Sequence, residues 1–144
     1  MANSVRRFEE IAVGDELPVC ARIVVREDVK AYADAGGDQN PLHQDDEVAK
    51  RAGFDGIIAH GMYTMGHLAQ CLVDWLGDPS PIKRLKVTFR SPVFMGETIA
   101  AGGRVKRLDP TTRTVTLELW VTVERDGVLE HPIRRGEAEL GFPP

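Results

Sequence analysis

HGMYTMGHLAQCLVDWLGDP, residues 60–79, is the most periodic stretch of the chain. Met62, Met65, Ala69, Leu72 and Leu76 follow one another at steps of 3, 4, 3 and 4, which lays an apolar stripe along a helix of about four turns. Leu68, Val73 and Trp75 widen the apolar arc, so the helix is expected to be covered on more than one side. Gly77 followed by Asp78 and Pro79 supplies the stop.

Downstream the period falls to two. In IKRLKVTFR, residues 82–90, Leu85, Val87 and Phe89 alternate with Lys86, Thr88 and Arg90, the pattern of a half-buried strand. Residues 97–108, 114–124 and 128–140 extend it, separated by turn residues at Asp109-Pro110 and a hairpin signal at Asp126-Gly127. Upstream, VCARIVV at 19–25 reads as a strand, and EDVKAYADA at 27–35 as a short helix ending at Gly36 and Gly37. A second short helix is expected over 45–53, with Asp45 as its cap, Asp46 and Glu47 at the positive end of its dipole, and Gly53 as a left-handed stop. One strand, short helices, one long helix and about four antiparallel strands predict an α+β fold: an antiparallel sheet curled around a single central helix.

At 144 residues, with no linker, repeat or low-complexity tract, residues 1–144 are expected to form a single domain; only the terminal GFPP reads as a loose end. The net charge of -4 comes from mixed signs without a basic block, which argues against a nucleic-acid surface. Cys20 and Cys71 belong to no C-x-x-C pair, so they read as small apolar residues in a reducing compartment. The N-terminal MANSVRRFEEIAVGDEL has two arginines but no apolar run, and the uncharged stretch 57–66, which contains His60, is too short to span a bilayer. No membrane association and a cytoplasmic location are the expectation.

Two polar clusters remain to be explained. GGDQNPLH, residues 36–43, crowds Asp38, Asn40 and His43 around Pro41 beside two glycines. Spacing alone describes a well-made loop, in which Asp38 or Asn40 bonds nearby backbone amides and Pro41 sets the chain direction. AHGM, residues 59–62, places His60 and Gly61 where the long helix begins, and the first amides of a helix lack internal partners. With no side chain on Gly61 to shield it, that N–H is a ready donor to a negatively charged oxygen. A carboxylate and an imidazole to activate water, and an amide to receive charge, are what hydration of an α,β-unsaturated thioester needs. Attack at C3 pushes charge onto the thioester oxygen before C2 is protonated.

At these residues the chain resembles a known family. YADAGGDQNPLHQDDEVA, residues 32–49, is similar to the signature of the MaoC-like, or hydratase 2, family of (R)-specific enoyl-thioester hydratases and 3-hydroxyacyl-thioester dehydratases. The run G-D-x-N-P-x-H at 37–43 is the specific part; FEEIAVGDEL at 8–17 and the AHGM segment extend the likeness over nearly the whole chain. Within the family the chain looks most like the dehydratase subunits of actinobacterial type II fatty-acid synthesis. The resemblance implies a hot-dog fold, with short helices carrying the catalytic loop, and a dimer, either of two copies or with a related hot-dog subunit. It implies Asp38 and His43 as the catalytic pair, Asn40 as the residue orienting them, and Gly61 as the oxyanion donor. Pro41, His60 and Met62 are then expected to contact the substrate, an acyl-CoA or acyl carrier protein thioester, with no metal or redox cofactor.

Two departures from the family stand out. Arg26 occupies the place of a helix-capping Ser or Thr, and the stretch near Ala69 lacks the serine that some short-chain hydratases place near the water. Among other readings, His43, Asp45, Asp46 and His60 can be drawn as a metal cluster, but the acidic pair is better used as a helix cap. His67 and His131 read as structural or surface residues, and Lys83 and Arg84 as a solvated strand end rather than a phosphate contact. Two rival functions share the fold: an acyl thioesterase, and a non-catalytic acyl-binding or structural subunit of a dehydratase heterodimer.

Overall fold

The computed structural model describes residues 4–144; residues 1–3, the start of the segment read above as lacking an apolar run, lie outside the described residues. The elements in chain order are β1 (Cys20–Ile23), α1 (Arg26–Gly36), α2 (Asp46–Arg51), α3 (Gly61–Leu76), β2 (Ile82–Lys86), β3 (Thr98–Asp109), β4 (Thr114–Arg125) and β5 (Val128–Gly141). Single 3-10 turns lie at Phe8–Glu10 and Pro41–His43.

The periodic stretch is the helix its pattern predicts. It starts after His60 and ends where Gly77 adopts φ +75°, its N–H bonding the Val73 carbonyl at 2.7 Å. The strands form one antiparallel sheet in the order β1-β3-β4-β5-β2, with the Asp126-Gly127 hairpin turning through positive φ at both residues. Along β4, Val115, Leu117, Leu119, Val121 and Val123 are buried at every second position, and they share one core with Leu68, Leu72 and Leu76 of α3.

Two expectations need correction. The buried face of α3 runs through Thr64, Leu68, Cys71, Leu72, Trp75 and Leu76, whereas Met62 is 53% exposed and Met65 and Ala69 are half-buried. The apolar arc is wide, and hydrophobicity alone did not mark which of its edges meets the sheet; the edge bearing Leu68 and Trp75 does. The strand expected over 82–90 is laddered only as far as Lys86. Its neighbour β5 carries a bulge, with Gly136 opposite Leu119 but Ile133 opposite Val121, and Arg135 at φ +57°. Beyond the bulge Phe89 meets Ile133 in an isolated bridge, and Phe89 is 48% exposed.

The short helices place the polar loop. Gly37 at φ +83° ends α1 through a 2.8 Å bond to the Ala33 carbonyl, so Asp38 begins the loop. The position preceding α1 is Val25, without a side-chain cap; Arg26 is instead the first helical residue and pairs with Asp46 at 2.6 Å. Asp46 also accepts the Ile57 N–H at 3.1 Å, and the Arg26 guanidinium followed by that N–H holds its carboxyl below the usual range. Asp45 caps α2 through the amides of Glu47 and Val48.

A mostly buried ion pair braces the segment behind the site. Arg125 grips Glu97 at 2.6 and 2.8 Å and also donates to the Pro92 carbonyl, while Glu97 accepts the Phe94 N–H at 2.7 Å. Burial pushes the Glu97 carboxyl up, but the Arg125 hydrogen bonds and the Phe94 amide outweigh it and hold it below its ordinary range. A depressed carboxyl contributes stability that is present above its unfolded pKa and lost as pH falls through its folded one. Glu97→Gln is therefore expected to cost about 2 kcal/mol at neutral pH, since it leaves Arg125 unpaired. The gap from wild type should narrow as the medium is acidified below the ordinary carboxylate range, which urea unfolding across that range measures.

Candidate active site

Asp38, Asn40 and His43 of GGDQNPLH each have a backbone task. Asp38 Oδ1 accepts the Asn40 N–H at 3.1 Å, and Asn40 Oδ1 accepts the Leu42 N–H at 3.1 Å, capping the single turn that Pro41 opens. The bland reading of the loop is thus correct as far as it goes. That turn aims His43 inward: its side chain is 11% exposed, against 55% for Asp38.

His43 Nδ1 lies 2.7 Å from the Ile58 carbonyl. A carbonyl only accepts, so Nδ1 carries the proton and the neutral ring presents a lone pair at Nε2. Nε2 stands 3.8 Å from Asp38 Oδ2, the carboxylate oxygen left over from the turn. This is too long for a direct hydrogen bond and suits one water held by both groups.

The AHGM segment comes alongside because Ile58 N–H bonds the Leu42 carbonyl at 3.2 Å and Ala59 N–H bonds the Val93 carbonyl at 2.8 Å. Gly61 is the first residue of α3, so its N–H has no acceptor within the helix. His43 and Gly61 share the wall of an open cavity of about 370 Å³, lined also by Phe54, Ile58, Ala59, Thr64, Pro132 and residues 89–93. The mostly apolar lining suits an apolar group. Phe89, freed from the ladder, lies over Gly61, where an added Cβ would stand 3.1 Å from the ring.

The three residues expected to contact substrate are placed otherwise. Pro41 is exposed, Met62 is 53% exposed and His60 is 2% exposed; like Asp38 and Asn40, they are not among the residues that line the cavity, whereas His43 and Gly61 are. The metal cluster drawn from sequence does not assemble around Asp45 and Asp46, which serve α2 and Arg26. Donor atoms of Asp38, His43 and His60 do lie within 4.8 Å of one another. The two imidazoles, however, are stacked at 3.8 Å with planes 27° apart. Lone pairs lie in the ring planes, so near-parallel rings direct them side by side rather than onto one ion, and the arrangement favours a shared water. His67 ties α3 to β1 through the Cys20 carbonyl at 2.9 Å, and Lys83 donates to the Ser80 carbonyl.

Sequence reading missed the Ile58 carbonyl, Thr64 and Ser91. A carbonyl has no residue signature. Thr64 stood among apolar residues on the buried face of the helix, a visible irregularity; Ser91, whose Oγ is buried at the cavity without a partner among the described residues, followed a segment read as strand.

Residues 8–126 match the family model described as MaoC like domain. The chain belongs to the MaoC-like family. Over 137 residues it is 31% identical to 3-hydroxybutyryl-CoA dehydratase of Methylorubrum extorquens, covering 94% of this chain and 83% of that protein. It is equally 31% identical over 137 residues to (R)-specific enoyl-CoA hydratase of Rhodospirillum rubrum, covering 94% of this chain and 91% of that one. Among solved structures, the (R)-hydratase of A. caviae involved in PHA biosynthesis matches with a TM-score of 0.81 at 26% identity, covering 94% of this chain and 99% of that one. The curled five-stranded sheet and long helix of this MaoC-like chain are accordingly the hot-dog fold that the resemblance implied.

Proposed function

We propose that this MaoC-like chain is a hydro-lyase that interconverts trans-2-enoyl and (R)-3-hydroxyacyl thioesters. Water sits between His43 Nε2 and Asp38 Oδ2. As its oxygen bonds to C3, the pair takes one of its protons, and charge moves through C2 onto the thioester oxygen beside the Gly61 N–H. Return of a proton to C2 completes the addition of H and OH; dehydration retraces the path. Asp38 and His43 share one water and act as a coupled unit. Asn40 orients the pair through its turn, taking Asp38 at its N–H and capping the segment that carries His43.

The observation that carries this reading is the Nε2 lone pair of His43, fixed by the Ile58 carbonyl and 3.8 Å from a carboxylate oxygen of the exposed Asp38, with His43 itself on the cavity wall that the first residue of α3 also lines. The substrate is an acyl thioester of coenzyme A or of an acyl carrier protein, and the partner is a second hot-dog subunit, a copy or a relative. Among the described residues no helix is long and apolar enough to cross a membrane, and both cysteines are free thiols, which supports a cytoplasmic setting.

Purified protein is expected to remove the conjugated absorbance of a trans-2-enoyl-CoA without releasing thiol. Unchanged absorbance, both alone and with a candidate partner subunit, overturns the proposal. Thiol release in place of hydration identifies a thioesterase.

A further inference from the structure

His60 is a titratable side chain buried at the centre of the site, and the mechanism above gives it no step. It is 2% exposed and is not among the residues that line the cavity. Its Nε2 lies 3.0 Å from the main-chain carbonyl of Asp38, which can only accept, so the proton is on Nε2. Its Nδ1 is buried without any hydrogen-bond partner among the described residues.

We infer that His60 is a positioning residue for hydration, acting through Asp38 by tying the exposed catalytic loop to the start of α3. The inference rests on the hydratase reading. His60 is the residue immediately before Gly61, so its bond to Asp38 connects the carboxylate that holds the water to the amide that receives the charge. The bond reaches across the site from a rigid base. The His60 ring is gripped between His43, stacked at 3.8 Å, and Tyr32, tilted at 4.9 Å, so it has no room to swing. Asp38 has no such base of its own: its side chain is open to solvent, and its other hydrogen bond stays within the loop, to Asn40. The orphaned Nδ1 points the same way. A purely apolar ring would fill the slot without leaving a buried polar atom unsatisfied, and imidazole differs from it usefully only at Nε2.

Small displacements of a reacting group have large kinetic consequences, about 10²-fold for 1 Å. His60→Phe keeps a flat ring between Tyr32 and His43 and deletes the donor. It is expected to lower kcat by about 30- to 100-fold with KM changed less than about threefold. His60→Gln, whose amide can donate from a similar reach, is expected to restore kcat to within about tenfold of wild type. If the Phe variant does not fold, His60→Asn, one methylene too short to reach the carbonyl, takes its place. The decisive measurement combines the loss variant with Asp38→Asn. Because His60 acts through Asp38, removing its donor in that background should change kcat by less than about threefold, whereas an independent structural effect multiplies through. Near-normal kcat in the Phe or Asn variant, a loss confined to KM, a loss that tracks thermal stability in the Gln variant as well, or multiplicative effects in the double variant each overturn the inference. Absence of hydration by the wild-type protein overturns the underlying reading instead, so the two failures are distinct.

Discussion

His43→Gln is expected to lower the rate of enoyl-thioester hydration by about 10²- to 10⁴-fold, the range that a positioned acid–base group contributes. The amide of glutamine has no lone pair equivalent to Nε2 that can take and return a proton, so the water keeps its place beside Asp38 but loses its acceptor. Asp38→Asn should fall in the same range, because its second oxygen becomes an amide or a weak neutral acceptor. In both variants the loop is expected to survive. Its shape is set by the Asx bond to Asn40, the Asn40 cap and Pro41, and asparagine can still supply an oxygen to the Asn40 N–H. Since the two groups share one water, the double variant should be little worse than the poorer single one. Steady-state rates on all three proteins, with circular dichroism to check the fold, measure this. Near-normal turnover in either single variant removes the pair from the mechanism.

How much of this was readable beforehand depends on whether the controlling atoms have a residue identity. The limits of α3 were legible because Gly77 and Pro79 are residue-level stops, and the 126–127 hairpin because few pairs tolerate positive φ twice. The inward face of α3 was not, since Met62 and Leu68 are equally apolar and only the sheet distinguishes them. The strand at 82–90 read too long because alternation reports a strand's own faces, while pairing was ended by the bulge at Arg135 in its neighbour. At the site, Asp38, Asn40, His43 and Gly61 stood out as a set through their pattern, and the structure brings Asp38 to 3.8 Å from His43 and sets His43 and Gly61 on one cavity wall. The tautomer of His43 was not, because it depends on the Ile58 carbonyl, and every residue has a carbonyl. His60 was read as touching substrate from its neighbourhood in the chain; its burial under His43 places it one layer back.

The role given to Gly61 can be separated from its shape by two substitutions at one position. Proline at the first position of a helix is well tolerated, because the N–H it lacks has no intrahelical partner. The preceding residue must be extended, and His60 already is, with φ -59° and ψ 138°. Gly61→Pro should therefore fold while removing the one donor assigned to the developing oxyanion. It also introduces a Cβ that meets the Phe89 ring at 3.1 to 3.2 Å. Gly61→Ala introduces the same Cβ and keeps the N–H. Phe89 is half exposed and meets that carbon with the far end of its ring, so it can yield by a few tenths of an ångström, and the alanine variant should lose no more than about tenfold. The proline variant should fall a further 10²- to 10³-fold or so, the effect of deleting one oxyanion donor. That second loss should appear in kcat more than in KM, because the charge exists only in the transition state. Equal rates for the alanine and proline variants would show that the Gly61 N–H carries no charge in the reaction. The glycine would then be present only to leave room for Phe89.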